Sequence, residues 1–280
     1  MTNSTNPLFK HFRQPQLYIK LPSNGRWYKP GSIDMPVTKE LPVYGMTAKD
    51  EILVQTPDAL LSGQSTVEVI QSCIPNIKNA WEMPIVDLDY VLIAIRRATY
   101  GNGMEITTTC PHCKQKNESM LNLEALSNNV YNPNFQESIV INNLEIFIQP
   151  QNFRQLNLAN IKKFENQRIL NMVNSQDITE EEKVKQLTTM LNDLLELVIK
   201  TINQSIVAIK TEDGTIVQDS QFIDEFLRNC TKPVWESIKS KIEEIAEQSP
   251  LKKIKLTCTN QECIKDYTTP LIFELTNFFE

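Results

Sequence analysis

A chain of 280 residues, 41% of them hydrophobic and 22% charged, has the composition of an ordinary globular protein long enough to bury a core and to hold two domains. Its net charge of -6 and pI near 5.2 argue against wholesale binding to nucleic acid or to anionic membrane. With seven glycines in no phosphate-cradling order and only two histidines, His11 and His112, the common nucleotide-binding loops and imidazole-based catalysis have almost nothing to be built from.

The polar start, Met1 to Asn6, predicts no secretory leader. The longest apolar runs, Tyr90 to Ile95 and Leu194 to Ile199, fall far below the roughly 20 residues that a membrane span requires. A reducing cytoplasm is therefore the expected setting, in which thiols bind metal more often than they pair; Cys73 and Cys230 read as buried, unpaired core residues.

In chain order, residues 1–16 read as a flexible polar terminus. Leu17 to Lys20 reads as a short strand entering an Asn24-Gly25 turn, with Trp27 and Tyr28 after it. Ile33 to Val43 reads as an extended edge broken by Pro36 and Pro42. Thr47 with Asp50 forms a capping pair that opens a helix, and Ser65 to Cys73 is helix-like up to Pro75. Asp87 is the expected cap of an amphipathic helix carrying Leu88, Val91, Leu92 and Ile95 on one face. Arg96 and Arg97 fall in its last turn, where cations suit the helix dipole, and Gly101 terminates it.

Ser127 to Phe135 is an expected Asn-rich loop, and Ile139 to Ile148 a hairpin about Asn142-Asn143. A helix follows over Phe153 to Val173. Thr179 to Glu182 is a capping box for a longer helix in which Val184, Leu187, Leu191, Leu194, Val198 and Ile202 form an apolar stripe, whose default reading is burial. A second hairpin turns at Asp213-Gly214. Helices over Ser220 to Asn229 and Pro233 to about Gln248 close the segment, the second with Trp235, Ile238, Ile242 and Ile245 on one face.

Two short-spaced cysteine pairs stand out: Cys110-Pro111-His112-Cys113, and Cys258 with Cys263, four residues lying between them. Each lies between stretches of strand character, Glu105 to Thr109 and Ser119 to Leu123 for the first, Lys253 to Thr257 and Leu271 to Leu275 for the second. Four thiolates in two such pairs match the ligand set of a closed structural Zn²⁺ site, and each half has the pattern of half a zinc ribbon. The C-x-x-C pair alone also fits a redox motif or two unrelated core cysteines. Redox chemistry is disfavoured because Cys110 opens no evident helix that would lower its pKa.

These elements predict an α+β fold in which a split zinc-ribbon-like β element joins an N-terminal α+β segment to a mainly helical insert. The expected divisions are a flexible terminus at 1–16, an N-terminal α+β domain with the first ribbon half at 17–126, a mainly helical insert with two hairpins at 127–250, and a second ribbon half at 251–280.

An ordered set of residues in the first part of the chain resembles a known family. It runs Leu21-Pro22-Ser23 with Gly25 and Tyr28, then Met46-Thr47-Ala48-Lys49-Asp50-Glu51, Ser62-Gly63, Ile70 with Cys73, and Asp87 with Asp89. Ile95-Arg96 with Tyr100-Gly101 and the first cysteine pair complete it. This order resembles the T4-type bacteriophage baseplate hub proteins over roughly residues 17–123, with the second cysteine pair as support. The chain departs from the family pattern at Thr99, where Ser is usual, and in its longer second cysteine spacing.

The resemblance implies a non-enzymatic hub component or assembly chaperone of a contractile-tail baseplate. Its partners would be other hub and tail proteins, with no small-molecule substrate; it would work in the host cytoplasm during assembly, and the resemblance leaves open whether it then stays in the virion tail or leaves. Trp27, Tyr28, Arg96 and Tyr100 are the candidate partner-facing residues, since aromatic side chains and Arg anchor interfaces. The alternative is a zinc-ribbon nucleic-acid binder using Lys114, Lys116, Lys252, Lys253, Lys255 and Lys265, although lysines at knuckles and strand edges commonly serve solvation and protection against edge pairing.

Overall fold

The computed structural model describes residues 8, 11–56, 63–128, 137–175, 179–247 and 253–270. At 49% helix and 22% strand, the chain is a mixed α and β protein with small sheets, and among the described residues every strand pair is antiparallel. It divides into two compact units: residues 1–80, 89–131 and 250–280 form one, and residues 81–88 and 132–249 the other.

In the first unit, β1 (Pro15–Ile19) pairs with β2 (Leu41–Tyr44), burying Ile19, Leu41 and Val43. Between Ile33 and Leu41 the expected extended edge reduces to a single bridge from Ile33 to Ile77. Thr47 caps α1 (Ala48–Val54) through a reciprocal box with Asp50. α2 (Gln64–Cys73) starts at Gly63 (φ 72°) with no side-chain cap. α3 (Ile85–Tyr100), which belongs to this unit from residue 89 on, starts two residues before the expected cap, so Asp87 lies inside its first turn. That helix is buried nearly all round, Val91, Ile93, Ala94 and Ile95 each being at most 1% exposed, where the sequence pattern showed a single apolar face. Gly45 lies against its backbone: a Cβ there would meet the Ala98 carbonyl oxygen at 2.9 Å.

The segment before β1, expected to be loose, contains Arg13. Its guanidinium donates to the carbonyls of Gly45 (2.6 Å) and Ser72 (2.7 Å) and lies 3.5 Å from the buried Asp50 carboxylate. Cys73, fully buried beside it, has its thiol pKa pushed up to about 12, first by burial and then by the Asp50 charge.

Two hairpins complete this unit. β3 (Gly103–Thr109) pairs with β4 (Lys116–Asn122), and β9 (Lys253–Thr257) with β10 (Asp266–Pro270). The return strand of the second therefore begins directly after the cysteines, five residues before the expected Leu271 to Leu275, which lies outside the described residues. Asn122 caps α4 (Leu123–Asn128), placing Ser127 and Asn128 in a helix where a loop was expected; the rest of that expected loop lies outside the described residues.

In the second unit, β5 (Ser138–Ile141) and β6 (Leu144–Ile148) turn at Asn142 (φ 49°) and Asn143 (φ 64°), the positive-φ pair that a tight two-residue hairpin requires. β7 (Ile206–Lys210) and β8 (Ile216–Val217) add to β6, giving one antiparallel sheet in the order β5-β6-β7-β8. Four helices accompany it: α5 (Phe153–Ser175), α6 (Glu180–Ser205), α7 (Ser220–Asn229) and α8 (Lys232–Glu247). The core collects Ile146, Ile148 and Ile209 from the sheet with Ile223, Leu227, Ile238 and Ile245 from the helices, and Phe153 stacks on Trp81 at 5.4 Å. Trp235 stays half-buried.

The apolar stripe of α6 is buried only in part. Val184, Leu191 and Val198 are 62%, 60% and 39% exposed and Leu187 and Leu194 are half-buried, while Ile202 at the end of the stripe is packed, as are Met190 and Ile199 outside it.

Candidate metal centre

The site is built on the two hairpins of the first unit. Antiparallel pairing places Thr109 opposite Lys116 and Thr257 opposite Asp266, so each cysteine pair occupies the loop that closes a hairpin. Both loops close alike. The Cys110 N–H donates to the Gln115 carbonyl and the Cys258 N–H to the Lys265 carbonyl, each at 3.0 Å. In the first loop Lys114 N–H returns to the Cys110 carbonyl (2.9 Å); in the second, Ile264 N–H returns to the carbonyl of Asn260 (3.0 Å), not to that of Cys258. The two extra residues of the second spacing are thus taken up between Cys258 and Asn260, and the turn that delivers the second cysteine keeps its length. The residue after each second cysteine, Lys114 (φ 62°) and Ile264 (φ 46°), is left-handed, a strained conformation for a β-branched side chain such as Ile264.

The four sulfurs converge within 4.8 Å of one another. Two close approaches cross between hairpins: Cys113 to Cys258 at 3.6 Å and Cys110 to Cys263 at 4.0 Å. A tetrahedron with metal–sulfur bonds of about 2.3 Å has edges of about 3.8 Å, so these separations are those of four ligands around one ion. They are far from a disulfide bond of about 2.05 Å, and all four cysteines are free.

The thiols of the set also act on one another electrostatically. Burial opposes ionisation of Cys110, but the N–H groups of Cys113 and His112 and the neighbouring thiols outweigh it and hold its pKa at about 6. For Cys258 the Asn260 N–H favours the thiolate, yet burial and the thiols of Cys113, Cys110 and Cys263 prevail and push the value to about 12. Cys263 is raised too, burial and the Cys113 and Cys110 thiols overcoming the Lys265 N–H. Cys110 thus ionises readily while Cys258 and Cys263 resist it, the behaviour of thiols that share one site.

Asn117, fully buried on β4, was not singled out by the sequence, where a lone Asn in a polar strand carries no signal. Its Oδ1 accepts from the N–H (2.8 Å) and hydroxyl (2.6 Å) of Thr259, and its Nδ2 donates to the Thr257 carbonyl (3.3 Å) and the Tyr267 hydroxyl (2.6 Å). Tyr267 in turn meets the Thr108 hydroxyl at 2.6 Å.

The expected partner-facing residues fall at other places in this unit. Arg96 is 7% exposed, with its guanidinium 5.3 Å from the ring of Tyr100, which is 42% exposed. Burial lowers the Arg96 pKa, and burial followed by the nearby Glu51 raises that of Tyr100. Trp27 and Tyr28 are half-buried, and the Arg26 guanidinium lies over Trp27 at 4.8 Å. In the second unit a groove of about 810 Å³ between α5, α6 and α7 is lined by charges already matched to one another, Lys162 with Asp193 (2.9 Å) and Arg228 with Glu196 (2.7 Å) and Asp224 (2.6 Å).

The model of the family described as T4 bacteriophage base plate protein matches residues 19–280. The chain belongs to that family. The match covers both units and both cysteine pairs, so the resemblance read in residues 17–123 extends through the helical segment and the second hairpin. No curated protein and no solved structure matches the chain. Membership assigns this baseplate protein a structural or assembly role in a phage tail and contacts with other phage proteins. No described helix is long and apolar enough to cross a membrane. Thr99, where the resemblance had expected Ser, keeps the hydroxyl chemistry: it accepts from the Met46 N–H (3.0 Å) and donates to the Ile95 carbonyl (2.8 Å), and a Ser hydroxyl can make both bonds.

Proposed function

We propose that this baseplate protein is a non-enzymatic component or assembly chaperone of the central hub, and that Cys110, Cys113, Cys258 and Cys263 bind one structural Zn²⁺. The observation that carries the metal reading is the convergence of four sulfurs from two sequence-distant hairpins at tetrahedral edge lengths. A four-thiolate site leaves no ligand position for substrate, so the ion is a staple. It fixes the second hairpin to the first, and each hairpin is a two-stranded ribbon that is marginal by itself. In this reading the pair is a zinc ribbon divided by an insert. Purified protein should contain one zinc per chain, and Cys258→Ser should lose it; stoichiometric iron, or zinc unaffected by that change, would refute the assignment.

Hub assembly is supported by the family and by the resemblance of the first part of the chain to hub proteins. The surface to be engaged is the exposed Tyr100, whose ring Arg96 supports from beneath, together with Trp27 and Tyr28. Assembly takes place in the host cytoplasm. Pull-down of tagged protein from infected cells should recover hub subunits, and Tyr100→Ala should reduce that recovery. A protein that stays monomeric and recovers no tail component would count against the reading. The nucleic-acid alternative gains no support from the family.

A further inference from the structure

From the geometry we infer that Asn117 is the positioning residue of the four-cysteine site, acting on the backbone of Cys258. The inference rests on the metal reading above and concerns what brings the two halves of the site together. Asn117 belongs to the first hairpin, four residues after Cys113, while every residue it holds around Cys258 belongs to the second.

Its amide engages the peptide groups on both sides of that cysteine, donating to the carbonyl of Thr257 and accepting from the N–H of Thr259. A neighbouring β-strand would offer residue 258 the same pair of bonds, so one side chain does the work of a strand and fixes where the Cys258 sulfur points. The orientation of the amide is settled by chemistry: a backbone N–H can only donate, so Oδ1 must face Thr259 and Nδ2 must face Thr257 and Tyr267.

The remaining bonds lock the amide. Nδ2 donates to Tyr267 Oη, Tyr267 Oη donates to Thr108 Oγ1, and Thr108 Oγ1 donates back to the carbonyl of Asn117 itself at 3.4 Å. This circuit begins and ends on one residue, is buried at Asn117 and Tyr267, and joins both hairpins. A closed, satisfied network in a dry environment is rigid. Cys258 is therefore presented to the other three sulfurs by contacts that involve no ion, and the ligand set is preorganised.

The test is titration of full-length, metal-free protein with Co²⁺, which reports tetrahedral thiolate ligation by its visible absorption, followed by displacement with Zn²⁺. Wild type should give the four-thiolate spectrum. Asn117→Ala should bind about 10–100-fold more weakly, the range for loss of a residue that orients a metal ligand, with a shifted visible band. Tyr267→Phe, which spares the contacts around Cys258, should keep the wild-type band position. Circular dichroism with saturating zinc should be unchanged in both variants, separating ligand positioning from loss of fold. Should Asn117→Ala not fold, Asn117→Asp decides, since it keeps acceptors for Thr259 but loses the donors to Thr257 and Tyr267; it too should bind more weakly. Wild-type affinity and band position in the Asn117 variant would overturn the inference alone. Failure of wild type to take up Co²⁺ or Zn²⁺ would instead overturn the metal site itself.

Discussion

Asp50 shows how much one side chain can carry. Its carboxylate accepts from the N–H and hydroxyl of Thr47 (both 2.8 Å) and from the Ser72 hydroxyl (3.0 Å), with Arg13 close by, and it is 3% exposed. Asp50→Ala would remove half of a capping box and take the acceptor from three donors, two on the exposed Thr47 and one on the half-buried Ser72, so urea unfolding should show a loss of about 2 kcal/mol; a loss below about 1 kcal/mol would mean that water replaces the carboxylate. The Thr47–Asp50 cap was legible in the sequence because its spacing is local. The part played by Arg13, 37 residues away, was not. Glu196 gives a pH-dependent counterpart on the surface. Its hydrogen bonds to Arg228 depress its pKa below the ordinary 4.5. The pair's contribution is thus fully present above pH 4.5 and is lost as the pH falls through the lower folded value. The Tm of Glu196→Gln should lie below that of wild type near neutrality and converge with it in acid; a gap that persists at the acid end would rule out the ion pair as its source.

At the scale of the element, local chemistry decided where segments begin and turn, and packing decided which faces they hide. The Asn142-Asn143 and Asp213-Gly214 turns and the Thr179 box lie where the sequence places them, because φ preference and capping are properties of a few adjacent residues. The α6 stripe is different. Its period was plain, but a period names a face without saying how much of it is covered, and in the second unit Ile202 is packed while Val184, Leu191 and Val198 are exposed. Leu191→Ala should therefore cost less than about 1 kcal/mol, while Ile238→Ala on α8, fully buried, should cost about 2–5 kcal/mol. Equal losses in denaturant unfolding would place Leu191 in a packed environment. α3 erred in the other direction, its pattern showing one apolar face where the fold buries nearly all of it.

For the molecule as a whole, the two units should respond separately to metal. Chelation should expose the amides of β3, β4, β9 and β10 to hydrogen exchange, because two ribbons would lose their common ion, while β6 and β7 in the other unit keep their protection. Uniform protection before and after chelation would show that the ion contributes nothing to the fold. By itself the sequence determined most of the elements, though not α4 or the place of β10, the mixed α and β class, the four candidate ligands and, through an ordered set of residues, the family. These rest on local preference, on residue chemistry and on pattern, all of which are written along one dimension. Only the tertiary structure decided that β6 pairs with β7 to make one sheet of two hairpins, that Cys113 approaches Cys258 across 145 residues, and that Asn117 holds the peptides on either side of Cys258. Those are contacts between distant segments, set by which surfaces must leave water together and which buried polar groups must then find partners, and no spacing within the chain encodes them.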